Sequence, residues 1–305
     1  MFLFLISGPA YCNDPDPEPS PGPDGPQGPP GVILKYDLLS NSQPGINYPD
    51  NHLGAFVAQR WAAGHVNHEL QEYIPEAAVQ NKNTNEITIT AKKDMGNGKI
   101  TSARLESYQV WSTAQSSDIK YHGYIEVRAT LPAKTNGQNF EGAWPAIWML
   151  GSGNGHGWPR HGEIDIVEIV NGDPKVYMSL HSTNHHGGGP QHPPENPYSL
   201  ENVDLTQDVL IAGFEWNLSF QNQIDLTWWF TWYDQGSKIW KSDHTTKVLT
   251  KYGNNDYDDF YNSFNGEGFS LLINLAEGGD WPSNDVFVDN QPQFINIKSV
   301  KVYRF

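Results

Sequence analysis

One cysteine, Cys12, stands in 305 residues, so neither an intramolecular disulfide nor a cysteine-based zinc site is possible. A fold of this size must then hold together on its apolar core alone, and a chain of this length can bury one. Basic side chains are also scarce: 19 Lys and Arg against 35 Asp and Glu leave a formal charge of −16. A polyphosphate partner would be repelled over most of such a surface, which argues against nucleic acid, whereas a neutral polymer would not be. Long apolar runs are missing as well. No stretch approaches the ~18 residues needed to cross a bilayer, and no membrane role is expected. Nor does any segment of ten or more residues show a convincing amphipathic helical period, 67–73 coming nearest.

What is present is aromatic. Eleven tryptophans contribute to a 12% share of Phe, Trp and Tyr, more indole than a core readily hides, so some rings are expected to line a groove. Residues 1–12, MFLFLISGPAYC, have the apolar character of a secretory leader, although no basic residue precedes them. Residues 13–31 are almost wholly Pro, Gly and small or acidic residues and are expected to form an extended linker. From residue 32 to 305 the pattern changes to period two. Segments 86–92 (EITITAK) and 124–131 (YIEVRATL) alternate apolar and polar residues, and similar runs fall at 176–181, 209–216, 224–233, 269–275 and 295–303. Gly, Pro, Asn and Asp clusters separate them. Short strands without βα alternation predict an all-β antiparallel sandwich or barrel.

Chemistry concentrates in 161–172, HGEIDIVEIVNG. Glu163 and Asp165 share a face of a regular strand, whereas Glu168, five positions from Glu163, falls on the other. An unpaired carboxylate facing the core would cost several kcal/mol. The consecutive apolar residues Ile166 and Val167 suggest a β-bulge that resets the alternation and returns Glu168 to the same face. Three neighbouring carboxylates raise the pKa of at least one of them. A retaining glycosidase needs that division of labour, with one carboxylate as nucleophile and another as acid and then base. This reading makes Glu163 the nucleophile, Glu168 the acid/base and Asp165 the group between them. Acidic residues on an exposed edge strand, placed there to block edge pairing, are the competing explanation.

The surroundings favour the catalytic reading. Trp144 and Trp148, four apart in GAWPAIWML, share a strand face, and indoles there can stack on sugar rings. Trp158 precedes the acidic strand and Trp281 follows a Gly-rich turn, which makes both candidate groove residues. His181 ends the next strand, where a hairpin would bring it beside the carboxylates. The loop 181–192 holds four histidines, but their spacing gives little support to a metal site, and none is expected.

At this point the sequence resembles glycoside hydrolase family 16, the laminarinase-like β-glucanases. The blocks NHELQEY (67–73), TSARL (101–105), YHGYIEVRATLP (121–132), WPAIWML (144–150), GEIDIVE (162–168), FEW (214–216), INLAEGGDWP (273–282) and VKVY (300–303) carry the likeness in the family's order. The resemblance implies a concanavalin-like jelly roll of two sheets with a concave cleft, and double displacement with retention. It implies the roles given above for Glu163, Asp165 and Glu168, sugar contacts for Trp144 and Trp148, and support of the acid/base by His181. Asn67 and Arg128 match positions that line the cleft. The extra residue before the last glutamate is a laminarinase-like feature and favours β-1,3- or mixed β-1,3/1,4-glucan. Lys298 stands where many members carry an aspartate that helps hold a structural calcium, so that site is expected to be degraded or absent. The implied protein is a secreted, monomeric endo-glucanase needing no cofactor and acting on a polysaccharide. A non-catalytic glucan-binding protein and a transglycosylase on the same fold are the alternatives.

Overall fold

The computed structural model describes residues 29–46, 48–108, 110–136, 140–152, 157–183, 197–218, 221–252, 256–287 and 290–305. The expected leader and most of the expected linker lie outside these residues, as do His185, His186 and His192. The principal strands, in chain order, are β1 (Ile33–Asp37), β2 (Ile87–Lys93), β3 (Arg104–Glu106), β4 (His122–Thr130), β5 (Ala143–Gly151), β6 (Glu163–Glu168), β7 (Lys175–His181), β8 (Leu210–Asn217), β9 (Gln223–Asp234), β10 (Ile239–Thr250), β11 (Phe269–Glu277) and β12 (Gln293–Arg304). They form two sheets. One runs β10-β9-β8-β4-β12-β2, with β1 alongside β12. The other runs β7-β6-β5-β11-β3, extended by short strands at either edge. The pairings among these twelve strands are antiparallel.

Period-two alternation explains the sandwich. Ile87, Ile89 and Ala91 on β2, Ile125, Val127 and Ala129 on β4, and Ile295 and Ile297 on β12 are fully buried. Facing them, Ile147 and Met149 on β5, Ile164 on β6, and Leu271, Ile273 and Leu275 on β11 complete one apolar layer. Each such Val, Ile, Leu or Met side chain removed from water contributes roughly 1.5–3 kcal/mol.

One expectation needs correction, that no segment of ten residues is helical. Residues 67–73, the nearest candidate, have φ of 48° and 50° at Asn67 and His68 and end in a short strand, Glu72–Tyr73. A ten-residue helix, α1, instead spans Asp256–Asn265. Its apolar stripe is narrow and aromatic, with Tyr257, Phe260 and Phe264 buried, and three aspartates in its first turn mask the period. Those aspartates suit the positive end of the helix dipole. Strand β10 also carries no alternation, because it is an edge strand with both faces largely exposed.

Helix α1 positions the acidic strand. Phe260 and Phe264 pack on Phe269, with centroids 6.0 and 4.5 Å apart, and Ser263 Oγ donates to the His161 carbonyl at 2.7 Å. Gly162, with φ of 74°, enters β6 against Phe260 and Phe269, where a Cβ would sit 3.1–3.2 Å from both rings. A side chain there would be strained by backbone and neighbours alike. Lys298 pairs with Glu86 at 3.4 Å.

Candidate active site

The bulge is present. Against β5, Asp165 pairs with Trp148 and Val167 with Ile147, so β6 carries one extra residue over that step. Against β7, Asp165 pairs with Ser179 and Glu168 with Tyr177, three steps facing two. Ile164, Ile166, Val167 and Ile169 are all buried. The reset brings Glu163, Asp165 and Glu168 to one face, as the pattern of apolar residues predicted.

Cross-strand registers turn that face into rows. Tyr177, Glu168, Ala146, Asn274 and Arg104 form one, and Ser179, Asp165, Trp148, Leu272 and Glu106 form the next. His181 stands opposite Glu163. Its Nε2 lies 3.1 Å from Asp165 Oδ2 and 3.7 Å from Glu163 Oε1. Trp158 Nε1 donates to Glu163 Oε2 at 3.0 Å, and Trp144 Nε1 donates to Glu168 Oε1 at 2.9 Å. Each glutamate is thus held by its own indole.

Burial sets the electrostatics. Asp165 is only 4% exposed, and desolvation raises its pKa against a hydrogen bond from Ser179. Glu163 is pushed up to about 8, first by burial and then by Asp165, while His181, Trp158 and Arg104 pull it back. Glu168 is raised well above the usual range by burial, then by Asp165 and Glu163, with Trp144 and His181 opposing. Three such groups cannot all ionise near neutrality, so they share protons as a unit. Glu168 is the member best suited to keep one. Of the two glutamates, Glu163, which faces a histidine, an indole N–H and an arginine, is the better suited to ionise. Ligand atoms of Glu163, Asp165 and His181 lie within 4.8 Å of one another, so these are the side chains a metal ion would use here.

Trp144, Trp148, Trp158, His181 and Trp281 therefore gather around the carboxylates. Trp281 stands edge-on to both Trp144 (5.5 Å) and Tyr177 (4.9 Å). Asn67 is on an adjoining loop, where its carbonyl accepts from Asp280 N at 2.9 Å. Arg128 is not brought to the site. It lies on β4 of the opposite sheet, among the residues that alternate with core-facing Val127 and Ala129, and pairs with Glu126 at 2.8 Å. Its register within β4 turns it away from the cleft.

Sequence reasoning missed several neighbours. The Arg104 guanidinium lies between the Trp61 and Trp148 rings, 4.3 and 4.6 Å from their centroids, and its Nε donates to Gln59 Oε1 at 2.7 Å. Asn274 accepts from Trp148 Nε1 at 2.8 Å. A lone asparagine within the wholly buried strand FSLLINLAE was the available signal. Tyr177 and Ser179 follow from His181 by period two once β7 is paired with β6.

Comparisons with known proteins agree with this geometry. Residues 70–207 match a family model described as an XgeA-like, catalytic GH16 domain. Over 241 residues the chain is 30% identical to the clotting factor G alpha subunit of Tachypleus tridentatus, covering 78% of this chain but only 30% of that protein. It is 26% identical over 275 residues to a glucan endo-1,3-beta-glucosidase of Cryptopygus antarcticus, covering 84% of this chain and 88% of the relative. The laminarinase catalytic domain of Thermotoga maritima superposes with a TM-score of 0.59 at 27% identity, covering 90% of this chain and 98% of that one.

Proposed function

Because this chain belongs to glycoside hydrolase family 16, we propose that it is a retaining endo-β-glucanase acting on β-1,3- and mixed β-1,3/1,4-linked glucans. The observation that carries the reading is the bulged strand β6, which sets buried Asp165 and Glu168 and half-buried Glu163 on one face with a separate indole donor for each glutamate. The relatives named for endo-1,3-glucanase and laminarinase activity support the substrate class.

In the first step the Glu163 carboxylate attacks the anomeric carbon. The bond from that carbon to the glycosidic oxygen breaks, and Glu168 gives its proton to the departing oxygen. In the second, Glu168, now ionised, takes a proton from water. The water oxygen displaces Glu163 from the sugar, restoring both groups. Asp165 and His181 work between them: negative Asp165 holds the proton on Glu168 before the first step, and His181 offsets charge on Glu163 and Asp165. Two carboxyl groups and one water balance the reaction, so no cofactor is assigned. Trp144, Trp148, Trp158 and Trp281 offer ring faces and edges to the apolar sides of glucose units. The catalytic unit is taken as residues 32–305, working as a secreted monomer. Among the described residues no helix is long and apolar enough to cross a membrane.

The test is reducing-sugar release from laminarin, lichenan, xyloglucan and agarose by wild type and Glu163→Gln. Release from laminarin and lichenan, lost by orders of magnitude in the variant, is expected. Binding of laminarin without release from any polymer would instead make the protein a glucan-recognition module. Release confined to agarose or xyloglucan would keep the mechanism and overturn the substrate.

A further inference from the structure

Glu69 is a buried carboxylate that takes no part in the chemistry above. It accepts hydrogen bonds from Asn67 Nδ2 (3.2 Å), Gln71 Nε2 (2.7 Å) and the Tyr73 hydroxyl (3.1 Å). Tyr73 is fully enclosed, and its hydroxyl also accepts from Asn274 Nδ2 at 3.1 Å. Asn274 in turn accepts from the indole of Trp148, and Trp148 stacks on Arg104, which Trp61 covers from the other side. The chain of contacts runs without a gap from the loop beside Trp281 to the indole paired with Asp165. We propose that Tyr73 and Glu69 are positioning residues, fixing Trp148 and Arg104 in one orientation before a glucan arrives and so setting the affinity of that side of the cleft. The inference rests on the glucanase reading.

The physical case is preorganisation. An indole free to rotate would have to be ordered on binding, at about 0.5–1.5 kcal/mol per side chain, and each further group left loose adds to that. Here the ordering is done in the folded protein, because every polar atom linking Glu69 to Trp148 has a partner within 3.2 Å. Removing the Tyr73 hydroxyl breaks the chain in two places, leaving Asn274 Nδ2 without its acceptor and Glu69 with one donor fewer. Replacing Glu69 with an amide puts an N–H opposite groups that are already donors. Neither substitution touches Glu163, Asp165 or Glu168, so the bond-breaking step keeps its groups.

The experiment compares Tyr73→Phe and Glu69→Gln with wild type on laminarin, and repeats the comparison as titrations with a laminarin hexasaccharide on a Glu163→Gln background. KM and Kd are expected to rise together, by about tenfold, with kcat changed less than twofold, as lost hydrogen bonds of ordinary strength would give. Rescue should follow chemistry: Glu69→Asp keeps the charge and should recover more affinity than Glu69→Gln. Unchanged KM and Kd in both variants would overturn the inference, as would a fall in kcat at constant KM or a lowered melting temperature with wild-type kinetics. If wild type hydrolyses no glucan, the glucanase reading fails, and the titrations still decide whether this network sets affinity.

Discussion

The two sides of the cleft are built differently. Beyond β5, on the side of β11 and β3, Trp148, Asn274, Tyr73, Glu69 and Arg104 are joined by hydrogen bonds and ring stacking. Beyond β6, on the side of β7, the aromatic residues are more open: Trp158 is 50% exposed, and Trp281, whose ring reaches Tyr177 of β7 from the loop after β11, 39%. Trp158 is held by a donor bond to Glu163 and a tilted ring contact with His181 at 5.9 Å, and Trp281 meets Trp144 and Tyr177 through ring edges. The contrast teaches where the protein commits order in advance. One wall is shaped before substrate comes, and the other keeps rings that a sugar can meet and adjust. The carboxylates lie at the seam.

Substitution of matched residues on the two sides should expose the difference. The largest effect is expected from Trp148→Ala, which removes a stacked ring, leaves Asn274 Oδ1 without its donor and uncovers one face of a buried guanidinium. Loss of an interaction of this kind is worth about 2–3 kcal/mol, or roughly a hundredfold in kcat/KM. Trp158→Ala should cost only a few-fold on the same substrate, and equal losses at the two positions would remove the distinction. Next is a pH effect on the open side. His181 lowers the pKa of Glu163, so His181→Asn should raise it. Because the nucleophile must be ionised, the acid limb of the kcat/KM profile should then move to higher pH. A limb that stays put would mean that His181 does not act through Glu163.

The third effect concerns stability on the ordered side. Glu277, whose backbone N–H donates to Gln71 at 2.8 Å, is 0% exposed and raised well above the usual carboxylate range by burial alone. A raised folded pKa gives stability that is complete below the unfolded value, near 4.5, and declines as pH rises towards the folded one. Glu277→Gln should therefore change little at pH 4. Its advantage should grow by at most about 1.4 kcal/mol per pH unit above 4.5, read as a widening gap in melting temperature. A gap that is constant with pH would show that Glu277 ionises inside the fold. The smallest effect is Trp281→Phe, which keeps an aromatic edge against Trp144 and Tyr177 and should alter kcat/KM less than about threefold.

Legibility in the sequence followed the strength of local signals. The carboxylate triplet and its bulge were readable because Ile166–Val167 breaks a strict alternation, and only a reset keeps Glu168 out of the core. His181 was readable because one hairpin links β6 to β7. Arg128 was misplaced because a family position says nothing of which sheet carries it, whereas the flanking Val127 and Ala129 already assigned the opposite face to the core. Arg104, Tyr73 and Glu69 were hidden for another reason. Their roles depend on contacts made across long stretches of chain, with Asn274 lying 201 residues from Tyr73. Helix α1 escaped because acidic residues dilute its aromatic stripe, and β10 because an edge strand need not alternate.

The central claim is the assignment of Glu163 as nucleophile and Glu168 as acid/base, and azide trapping tests it most directly. Glu163→Ala and Glu168→Ala would each be incubated with azide and an aryl β-laminaribioside bearing a good leaving group, and the glycosyl azide characterised by proton NMR. Azide replacing the missing nucleophile attacks once and inverts, so Glu163→Ala should give the α-azide. Azide replacing water in the second step leaves net retention, so Glu168→Ala should give the β-azide. The opposite pairing of variant and anomer would contradict the assignment.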